Sequence, residues 1–313
     1  MEKINNKIIV ILGPTSSGKS DVAIKLAKKF NGEIISADSR QVYRGLDIGT
    51  GKTTAKEQKG IKHYLIDIAS PRTNYNAAKF KKDAEKIIKD ILKRGKLPVI
   101  CGGTGFWIKS IVDNVQYPEV KPDWVLRNQL RNKSAEELFS ILKKLDKERA
   151  KNIDAKNKVR LIRAIEICKV LGKVPKQGWT FDVPLAFGHR MSKRDTYNFL
   201  QIGIKLPKEK LHKNIEKRLR KRFNQGMIEE VKKLHTKDKL SWKKIESFGL
   251  GYFWIPKFLK GDLKTEEELF EKIYQAEKDY AKRQMTWFGK DVRIVWLEKY
   301  AEIEKETESL LNK

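Results

Sequence analysis

The sequence predicts an α/β protein built on a doubly wound parallel sheet, because strand-like and helical segments alternate along its first hundred residues. Four strand-like segments occupy residues 8–12, 33–37, 63–68 and 97–101. The first and last are almost wholly apolar and rich in β-branched residues, which is typical of strands buried on both faces. Helical patterns over 21–30 and 80–94 separate the first pair and the last pair of strands. Such alternation favours a parallel sheet, in which ligands bind beyond the carboxyl ends of the strands.

The rest of the chain predicts helices and a return to the sheet. Residues 121–178 combine Lys, Arg, Glu and Leu at helical spacing, whereas 178–195 lose the pattern and indicate a loop. Strands are predicted over 197–206 and 292–297, and basic helices over 208–224, 227–235 and 266–288, with a short helix after residue 298. We therefore expect a first part of the core (1–117), a mainly helical insertion (118–195) and a helical C-terminal part that returns to the core (196–313).

A glycine-rich loop follows the first predicted strand and precedes a predicted helix. It fits the phosphate-binding pattern G-x-x-x-x-G-K-[ST] in the order strand, loop, helix, as in P-loop NTPase-like folds. Backbone N–H groups of such a loop surround phosphate oxygens, the lysine reaches the terminal phosphate, and the Ser20 hydroxyl can hold Mg²⁺. The pattern leaves the ligand and the bond that breaks undetermined. The predicted phosphate-binding residues are Gly13, Pro14, Thr15, Ser16, Ser17, Gly18, Lys19 and Ser20.

Two other strand ends carry polar residues that belong at the same edge of the predicted sheet. Asp38 follows the second strand and could accept a proton from a nucleophile, or order Mg²⁺-bound water. Asp is also a favoured helix N-cap, and the spacing does not decide between these roles. Thr104 lies in a Gly-Gly-Thr-Gly turn after the fourth strand. It could donate a hydrogen bond to a ligand, or simply cap a strand-to-helix turn.

The charge is strongly basic, with 68 Lys and Arg against 40 Asp and Glu and a net charge of +28. Such a charge attracts polyanions, nucleic acid above all, although lysine enrichment in an AT-rich genome would also raise it. Three basic runs indicate nucleic acid, although each alone is compatible with a solvated helix face. They are Arg160 with Arg163, residues 217–222, and Lys282 with Arg283 beside aromatic residues.

The cysteine count and the apolar runs predict a cytoplasmic protein. Cys101 and Cys168 are the only cysteines, which is too few for a four-ligand zinc site and typical of a reduced compartment. No apolar run approaches the roughly 20 residues needed to span a bilayer. The chain enters a predicted strand within a few residues, so we expect no signal peptide.

Taken in order, these segments resemble the tRNA dimethylallyltransferases. The similarity extends from about residue 8 to residue 297. The combination of ADSRQVYRGLDIGT and GGTG beside the phosphate-binding loop is highly specific. The matching segments are GPTSSGKS, ISADSRQVYRGLDIGTGK, HYLIDI, NYNAAKF, PVICGGTGFW, VRLIRAIEI, IEKRLRKRFNQGMIEEV, GLGY and AKRQMTWF.

The resemblance implies transfer of a dimethylallyl group from its diphosphate to N6 of the tRNA adenine next to the anticodon, with release of diphosphate. It implies a donor diphosphate in the phosphate-binding loop with Mg²⁺, Asp38 as general base, Thr104 at the reacting centre and Arg218 on the diphosphate. The expected partner is the anticodon stem-loop of tRNA, bound by a monomer without a membrane. The residues expected to contact it are Asp38, Ser39, Arg40, Gln41, Thr104, Arg127, Arg160, Arg163 and Arg283.

Some residues depart from the family pattern, and three other functions remain open. Asn214 and Arg222 stand where relatives often carry Arg and Met. A P-loop kinase of small molecules or nucleotides would leave the basic charge unexplained. An RNA-binding protein without transferase activity would not need Asp38 and Thr104. An adenylate isopentenyltransferase, which acts on free nucleotides, would not need the helical insertion or the basic C-terminal part.

Overall fold

A six-stranded sheet forms the centre of the computed structural model, which describes residues 6–175 and 197–312. The order of the strands is β3-β2-β4-β1-β5-β6, and every neighbouring pair is parallel. The predicted parallel α/β fold is therefore confirmed. The strands are β1 (Lys7–Leu12), β2 (Gly32–Ser36), β3 (His63–Tyr64), β4 (Leu97–Gly102), β5 (Asn198–Ile204) and β6 (Ile294–Leu297).

Helices connect the strands and make up most of the second half of the chain. Up to residue 171 they are α1 (Lys19–Lys29), α2 (Ala55–Gln58), α3 (Ala77–Lys93), α4 (Gly105–Val112), α5 (Trp124–Arg131), α6 (Ala135–Leu145), α7 (Lys147–Lys151) and α8 (Lys158–Leu171). Beyond residue 197 they are α9 (Lys208–Asn224), α10 (Met227–Thr236), α11 (Trp242–Glu246), α12 (Gly251–Leu259), α13 (Glu266–Phe288) and α14 (Tyr300–Leu311).

Strand β1 is buried on both faces, as its apolar sequence predicts. Ile9 and Ile11 are fully buried and pack in one cluster with Leu26 of α1 and Ile303 of α14. Side chains alternate along a strand, so Val10 points to the opposite face, and it is also fully buried. Helix α3 contacts β2 and β4. Full burial of each such aliphatic side chain contributes about 1.5–3 kcal/mol, which makes this sheet the main source of stability.

The order of the strands places two glycine-rich loops side by side. Strand β1 lies between β4 and β5. After β1 the chain first forms β2, β3 and β4 on one side of it, and later β5 and β6 on the other side. Leu12, the last residue of β1, is in register with Gly102 of β4 and with Gly203 of β5. The loops that follow β1 and β4 therefore start at the same level, at the point where ligands bind in such sheets.

The structure corrects the third predicted strand and adds short helices. The strand expected over 63–68 ends at Tyr64, because Leu65 and Asp67 adopt left-handed backbone with φ of 62° and 56°. Residues with a Cβ rarely adopt that conformation, and it cannot continue a strand. Helices α2, α11 and α12 were not anticipated, whereas α4 follows the strand-to-helix turn that was one interpretation of Thr104. The loop expected over 178–195 lies outside the described residues.

The chain divides into two compact units. The first comprises 1–111 and 192–313, and the second comprises 112–191. The second unit has a core of its own, which includes Leu138, Leu142, Leu161 and Ile165. Of the helices described, each is too short or too polar to cross a bilayer.

Candidate active site

The loop between β1 and α1 has the backbone of a phosphate-binding loop. Gly18 takes a left-handed conformation with φ of 85° just before α1 begins at Lys19. A Cβ on Gly13 would lie 3.3 Å from the carbonyl oxygen of Ile204, so the loop passes close to β5. The Lys19 ammonium group folds back and donates to the carbonyl of Pro14 at 3.0 Å. The partial positive charge at the N-terminus of α1 and the Lys19 cation together suit this loop to an anion.

A cavity of about 70 Å³ lies at the carboxyl ends of β1, β2 and β4, within the first unit. Lys19, Ser20 and Asp38 line it. Arg218 reaches it from α9, so the topology brings together four residues that the sequence analysis selected from distant segments. Neutral side chains complete the wall, among them those of Ser36, His63 and Cys101.

The cavity is electrostatically suited to a multiply charged anion. The surrounding protein shields Lys19 from water and lowers its pKa, and nearby Arg218 lowers it further, although Cys101 and Asp38 act in the opposite direction. Desolvation likewise lowers the pKa of Arg218, followed by repulsion from Arg222. Arg218 is exposed as a whole residue, but its guanidinium group contacts Ser16 and Gly51. Two cations that repel each other in a shielded site are stabilised when an anion binds between them.

Two other titratable groups in the wall, Cys101 and His63, are neutral at neutral pH. Burial raises the pKa of the Cys101 thiol to about 11, and this thiol donates to the carbonyl of Lys19 at 3.6 Å. Burial lowers the pKa of His63. Its Nδ1 lies 2.8 Å from the carbonyl of Ile61, which assigns the ring proton to Nδ1. Lys19 and Arg218 therefore supply the positive charge of the cavity.

Helix α9 is joined to the phosphate-binding loop at Ser16. Arg218 donates to the Ser16 hydroxyl at 3.3 Å, and Asn214 donates to the Ser16 carbonyl at 3.2 Å. Ser16 is itself in left-handed backbone with φ of 61°. These bonds connect Arg218 to the phosphate-binding loop, beside which it was expected to bind the diphosphate. Asn214, which departs from the family pattern, still reaches this loop.

The Asp38 carboxylate caps a turn through one oxygen. Its Oδ1 accepts the backbone N–H groups of Arg40 at 2.8 Å and Gln41 at 3.3 Å. Residues 39–54 form turns and not an α-helix, so the helix-capping alternative does not apply. Among the described residues none donates a hydrogen bond to Oδ2, and the carboxylate lies in the cavity wall. Asp38 therefore has one oxygen that fixes its position and one that can receive a proton.

Thr104 holds the Asp38 segment in place. Its Oγ1 accepts the N–H of Ser39 at 3.0 Å, and its own N–H donates to the carbonyl of Ala37 at 3.2 Å. The Thr104 side chain therefore bonds to the segment that follows β2 and does not cap α4. A hydroxyl that accepts one bond keeps its hydrogen for another acceptor, such as a ligand. A Cβ on Gly102 would lie 2.2 Å from the Ala37 carbonyl, so this close approach needs glycine.

The segment between Asp47 and Gly51 is fixed by Glu230, which the sequence analysis did not single out, and by Arg222. Glu230 of α10 accepts the N–H groups of Asp47, Ile48 and Gly49 at 2.7–3.0 Å. Arg222 of α9 donates to the carbonyl of Gly49 at 3.0 Å. Gly51 lies against Arg218, since a Cβ there would be 2.7 Å from the guanidinium group. Both Glu230 and Arg222 lie in the family-like segment 215–231, but spacing alone could not reveal these partners.

Gln284 of α13 is another residue that the sequence analysis did not select. Its side-chain amide accepts the N–H of Thr15 at 2.8 Å and donates to the carbonyl of Gly103 at 2.9 Å. The quoted segment AKRQMTWF contains it, but only the fold brings it to both loops. Tyr280 lies one turn earlier in α13. Burial raises the pKa of Tyr280 to about 12, and the nearby Asp38 carboxylate contributes to this increase.

A magnesium ion fits the cavity only together with a ligand. Within the described residues no group of three or more His, Cys, Asp or Glu could hold a metal ion. Ser20 supplies a hydroxyl in the cavity wall. Mg²⁺ keeps several waters and commonly bridges a protein oxygen to phosphate oxygens, so Ser20 with a diphosphate is a suitable donor set.

The arginines expected on tRNA are distributed over both units. In the first unit, Arg40 lies 5.9 Å from the ring of Phe248 and Arg283 lies 5.8 Å from the ring of Tyr280. In the second unit, Arg127 and Arg163 both pair with the fully buried carboxylate of Glu166, whose role the sequence analysis missed. Arg160 lies in the same helix, α8, where its N–H donates to Asn157 at 3.1 Å. Contact of these arginines with tRNA stays a prediction.

The parallel sheet, the phosphate-binding loop and the two cations define a P-loop-like α/β protein with a cavity suited to a multiply charged anion. A family model described as "IPP transferase" matches residues 41–291, and the chain belongs to that family. A tRNA dimethylallyltransferase from Acetivibrio thermocellus is 39% identical over 304 residues, which cover 94% of this chain and 92% of the relative.

Solved structures agree with this assignment. The tRNA isopentenylpyrophosphate transferase of Bacillus halodurans is 31% identical, with a TM-score of 0.71, and the match covers 98% of this chain and 97% of that one. A eukaryotic dimethylallyltransferase solved while acting on tRNA has a TM-score of 0.78 and covers 97% of this chain and 77% of that one. At 24% identity it shows the shared fold alone.

Proposed function

We propose that this chain transfers a dimethylallyl group from dimethylallyl diphosphate to N6 of the adenine next to the anticodon of tRNA, releasing diphosphate. The observation that carries this proposal is the cavity itself. Its wall contains the phosphate-binding Lys19, Arg218 and the Asp38 carboxylate. A kinase also uses phosphate-binding groups and an acidic residue, so the net charge of +28 and the family match are what favour transfer to tRNA over phosphoryl transfer.

The donor diphosphate is bound by the phosphate-binding loop. Lys19, the loop N–H groups and Arg218 stabilise the negative charge that grows on the leaving oxygen as the bond to C1 breaks. Mg²⁺, when bound to the diphosphate beside Ser20, supplies further charge neutralisation. Lys19 and Arg218 repel each other in the free protein. A bound anion offsets this repulsion, so part of the favourable interaction between these cations and the donor arises only on binding.

The acceptor amine is activated by Asp38. As the N6–C1 bond forms and the C1–O bond breaks, N6 loses a proton, and Oδ2 of Asp38 is free to accept it. Oδ1 meanwhile keeps its bonds to Arg40 and Gln41, which hold the carboxylate in one orientation. We expect the Thr104 hydroxyl to lie beside C1, the carbon to which N6 bonds. The products are the substituted adenine, the protonated carboxyl of Asp38 and diphosphate.

The acceptor RNA is bound through charge. The net charge of +28 provides a long-range attraction for the tRNA backbone. An adenine must leave the stack of the anticodon loop to enter a cavity at the edge of a sheet, and Ser39, Arg40, Gln41 and Arg283 are its expected neighbours. Arg127, Arg160 and Arg163 of the second unit are expected to contact the backbone. We place this reaction in the cytoplasm and assign it to a monomer.

A direct transfer assay tests the proposal. Purified protein is incubated with Mg²⁺, isotope-labelled dimethylallyl diphosphate and unmodified tRNA, and the digested nucleosides are analysed by mass spectrometry. Label should appear on one adenosine, and only when tRNA is present. Label on free AMP or ATP in preference to tRNA would support an adenylate isopentenyltransferase, and phosphate transfer from ATP without prenyl transfer would support a kinase.

A further inference from the structure

One buried side chain joins the two glycine-rich loops of the cavity. Gln284 is 6% exposed and lies in the last two turns of α13. Its Oε1 accepts the N–H of Thr15 in the phosphate-binding loop, and its Nε2 donates to the carbonyl of Gly103 in the loop after β4. The two loops are otherwise separated along the chain by nearly ninety residues. Gln284 therefore links them through a rigid helix.

The packing around Gln284 permits little variation. A Cβ on Gly103 would lie 2.3 Å from Nε2 of Gln284, and a Cβ on Gly105 would lie 2.2 Å from the ring of Trp287, one turn further along α13. The loop therefore lies directly on the helix with no side chain between them. Thr15 offers a donor and Gly103 an acceptor, and glutamine is the side chain of this length that satisfies both at once.

The same connections continue to the proposed base. Thr104, next to Gly103, accepts the N–H of Ser39 and donates its own N–H to Ala37. Asp38 lies between those two residues. An unbroken series of short contacts thus leads from the loop that holds the leaving group, through Gln284 and Thr104, to the carboxylate that receives the proton.

We propose that Gln284 is a positioning residue for the transfer, because it sets the separation between the phosphate-binding loop and the Asp38 segment. This inference rests on the proposed function. The leaving oxygen, C1 and N6 must lie almost in line, and a displacement of about 1 Å costs on the order of 10²-fold in rate. Gln284 contacts the loops and not the substrates, so it acts on the alignment of bound reactants more than on their affinity.

The test compares Gln284→Met and Gln284→Glu with the wild-type chain under single-turnover conditions. The Met variant fills similar space and makes neither hydrogen bond, so its kcat should fall roughly 10- to 100-fold while KM for the donor changes less than about threefold. Gln275→Glu is a matched control on the exposed side of α13, where Gln275 donates to Asp279, and it should behave as wild type.

The Glu variant gives a readout that a merely structural role would not change. Its carboxylate accepts from Thr15 but repels the Gly103 carbonyl, whereas its protonated form can donate to Gly103. The ratio of its rate to the wild-type rate should therefore rise as pH falls, since the titrating groups that both proteins share affect both rates alike. The Met variant should show no such rise.

The outcomes are separable. If the wild-type chain transfers no dimethylallyl group to tRNA, the proposed function fails, and this inference with it. If the wild-type chain is active and the Met variant keeps its kcat, the positioning role alone is overturned. A loss of rate that disappears after correction for the folded fraction, measured by circular dichroism, also overturns it, as does a Glu-to-wild-type ratio that is independent of pH.

Discussion

Arg222 of α9 and Glu277 of α13 form an ion pair of 2.6 Å between two side chains that are almost fully buried. The same guanidinium group donates to the carbonyls of Gly49 and Arg218. The pair therefore joins α9 and α13 to the segment around Gly49, next to the cavity. The same arginine also holds the backbone of Arg218.

Removing one member of this pair should be more harmful than removing both. Arg222→Met leaves the Glu277 carboxylate buried without a counter-charge, which costs about 3–5 kcal/mol in the free energy of unfolding. The double variant Arg222→Met with Glu277→Leu should recover a large part of that loss. Urea denaturation of the three proteins measures both effects. Equal stability of the single and double variants would mean that the pair contributes nothing of its own.

Asp38→Asn should abolish most of the chemistry and leave the architecture intact. Asn can still accept the N–H groups of Arg40 and Gln41 through its carbonyl, but it cannot take a proton from N6. We expect kcat to fall by roughly 10²–10⁴-fold, the usual scale for loss of a general base, with tRNA binding preserved. Asp21→Asn in the first turn of α1 is the control. Near-normal single turnover by Asp38→Asn would remove Asp38 from the mechanism.

The lowered pKa of Lys19 predicts a pH-dependent affinity for inorganic diphosphate. Lys19 is charged below its pKa, and desolvation moves that pKa below the usual 10.5. Diphosphate should therefore bind tightly at neutral pH and progressively weaker as pH rises through the lowered pKa, with proton uptake on binding in that range. Lys19→Arg keeps its charge throughout and should lack this decline. Calorimetric titration across the alkaline range would show it, and an identical decline in both proteins would contradict the assignment.

Arg127 and Arg218 should have opposite effects on the two substrates. If Arg127 contacts a phosphate of tRNA, Arg127→Ala lowers the slope of log K against log salt by about 0.7–0.9 and leaves the affinity for the donor unchanged. Arg218→Ala should weaken donor binding and leave the slope unchanged. Salt titrations with tRNA and with an unrelated RNA of equal length measure both quantities. An unaltered slope in Arg127→Ala, with equal binding of both RNAs, would indicate diffuse attraction only.

Arg127→Ala has a second consequence, because its guanidinium group also pairs with Glu166. Glu166 is fully buried and accepts bonds from Arg127, Arg163 and the N–H of Asp123. Glu166→Gln keeps all three donors near a neutral acceptor and leaves the charge of Arg127 in place. It should therefore destabilise the second unit without reducing the salt slope, which separates the structural contribution of Arg127 from its contact with RNA.

The sheet and the phosphate-binding loop could be predicted because each depends on residues that are contiguous in the sequence. Strand β1 is a continuous apolar run, and Gly13 to Ser20 is a contiguous motif. The early end of β3 could not be predicted, since the left-handed backbone of Leu65 and Asp67 follows from tertiary contacts and not from their polarity. The bonds of Gln284 to Thr15 and Gly103 span most of the chain, and no spacing rule reports such pairs.

The most direct measurement is nucleoside mass spectrometry of tRNA from cells that lack this gene, complemented with the wild-type chain or with Asp38→Asn. The proposed function predicts that dimethylallyl adenosine and its derivatives disappear on deletion, return with the wild-type chain and stay absent, or nearly so, with Asp38→Asn at equal protein level. An unchanged content of dimethylallyl adenosine after deletion would contradict the central claim that this chain prenylates tRNA.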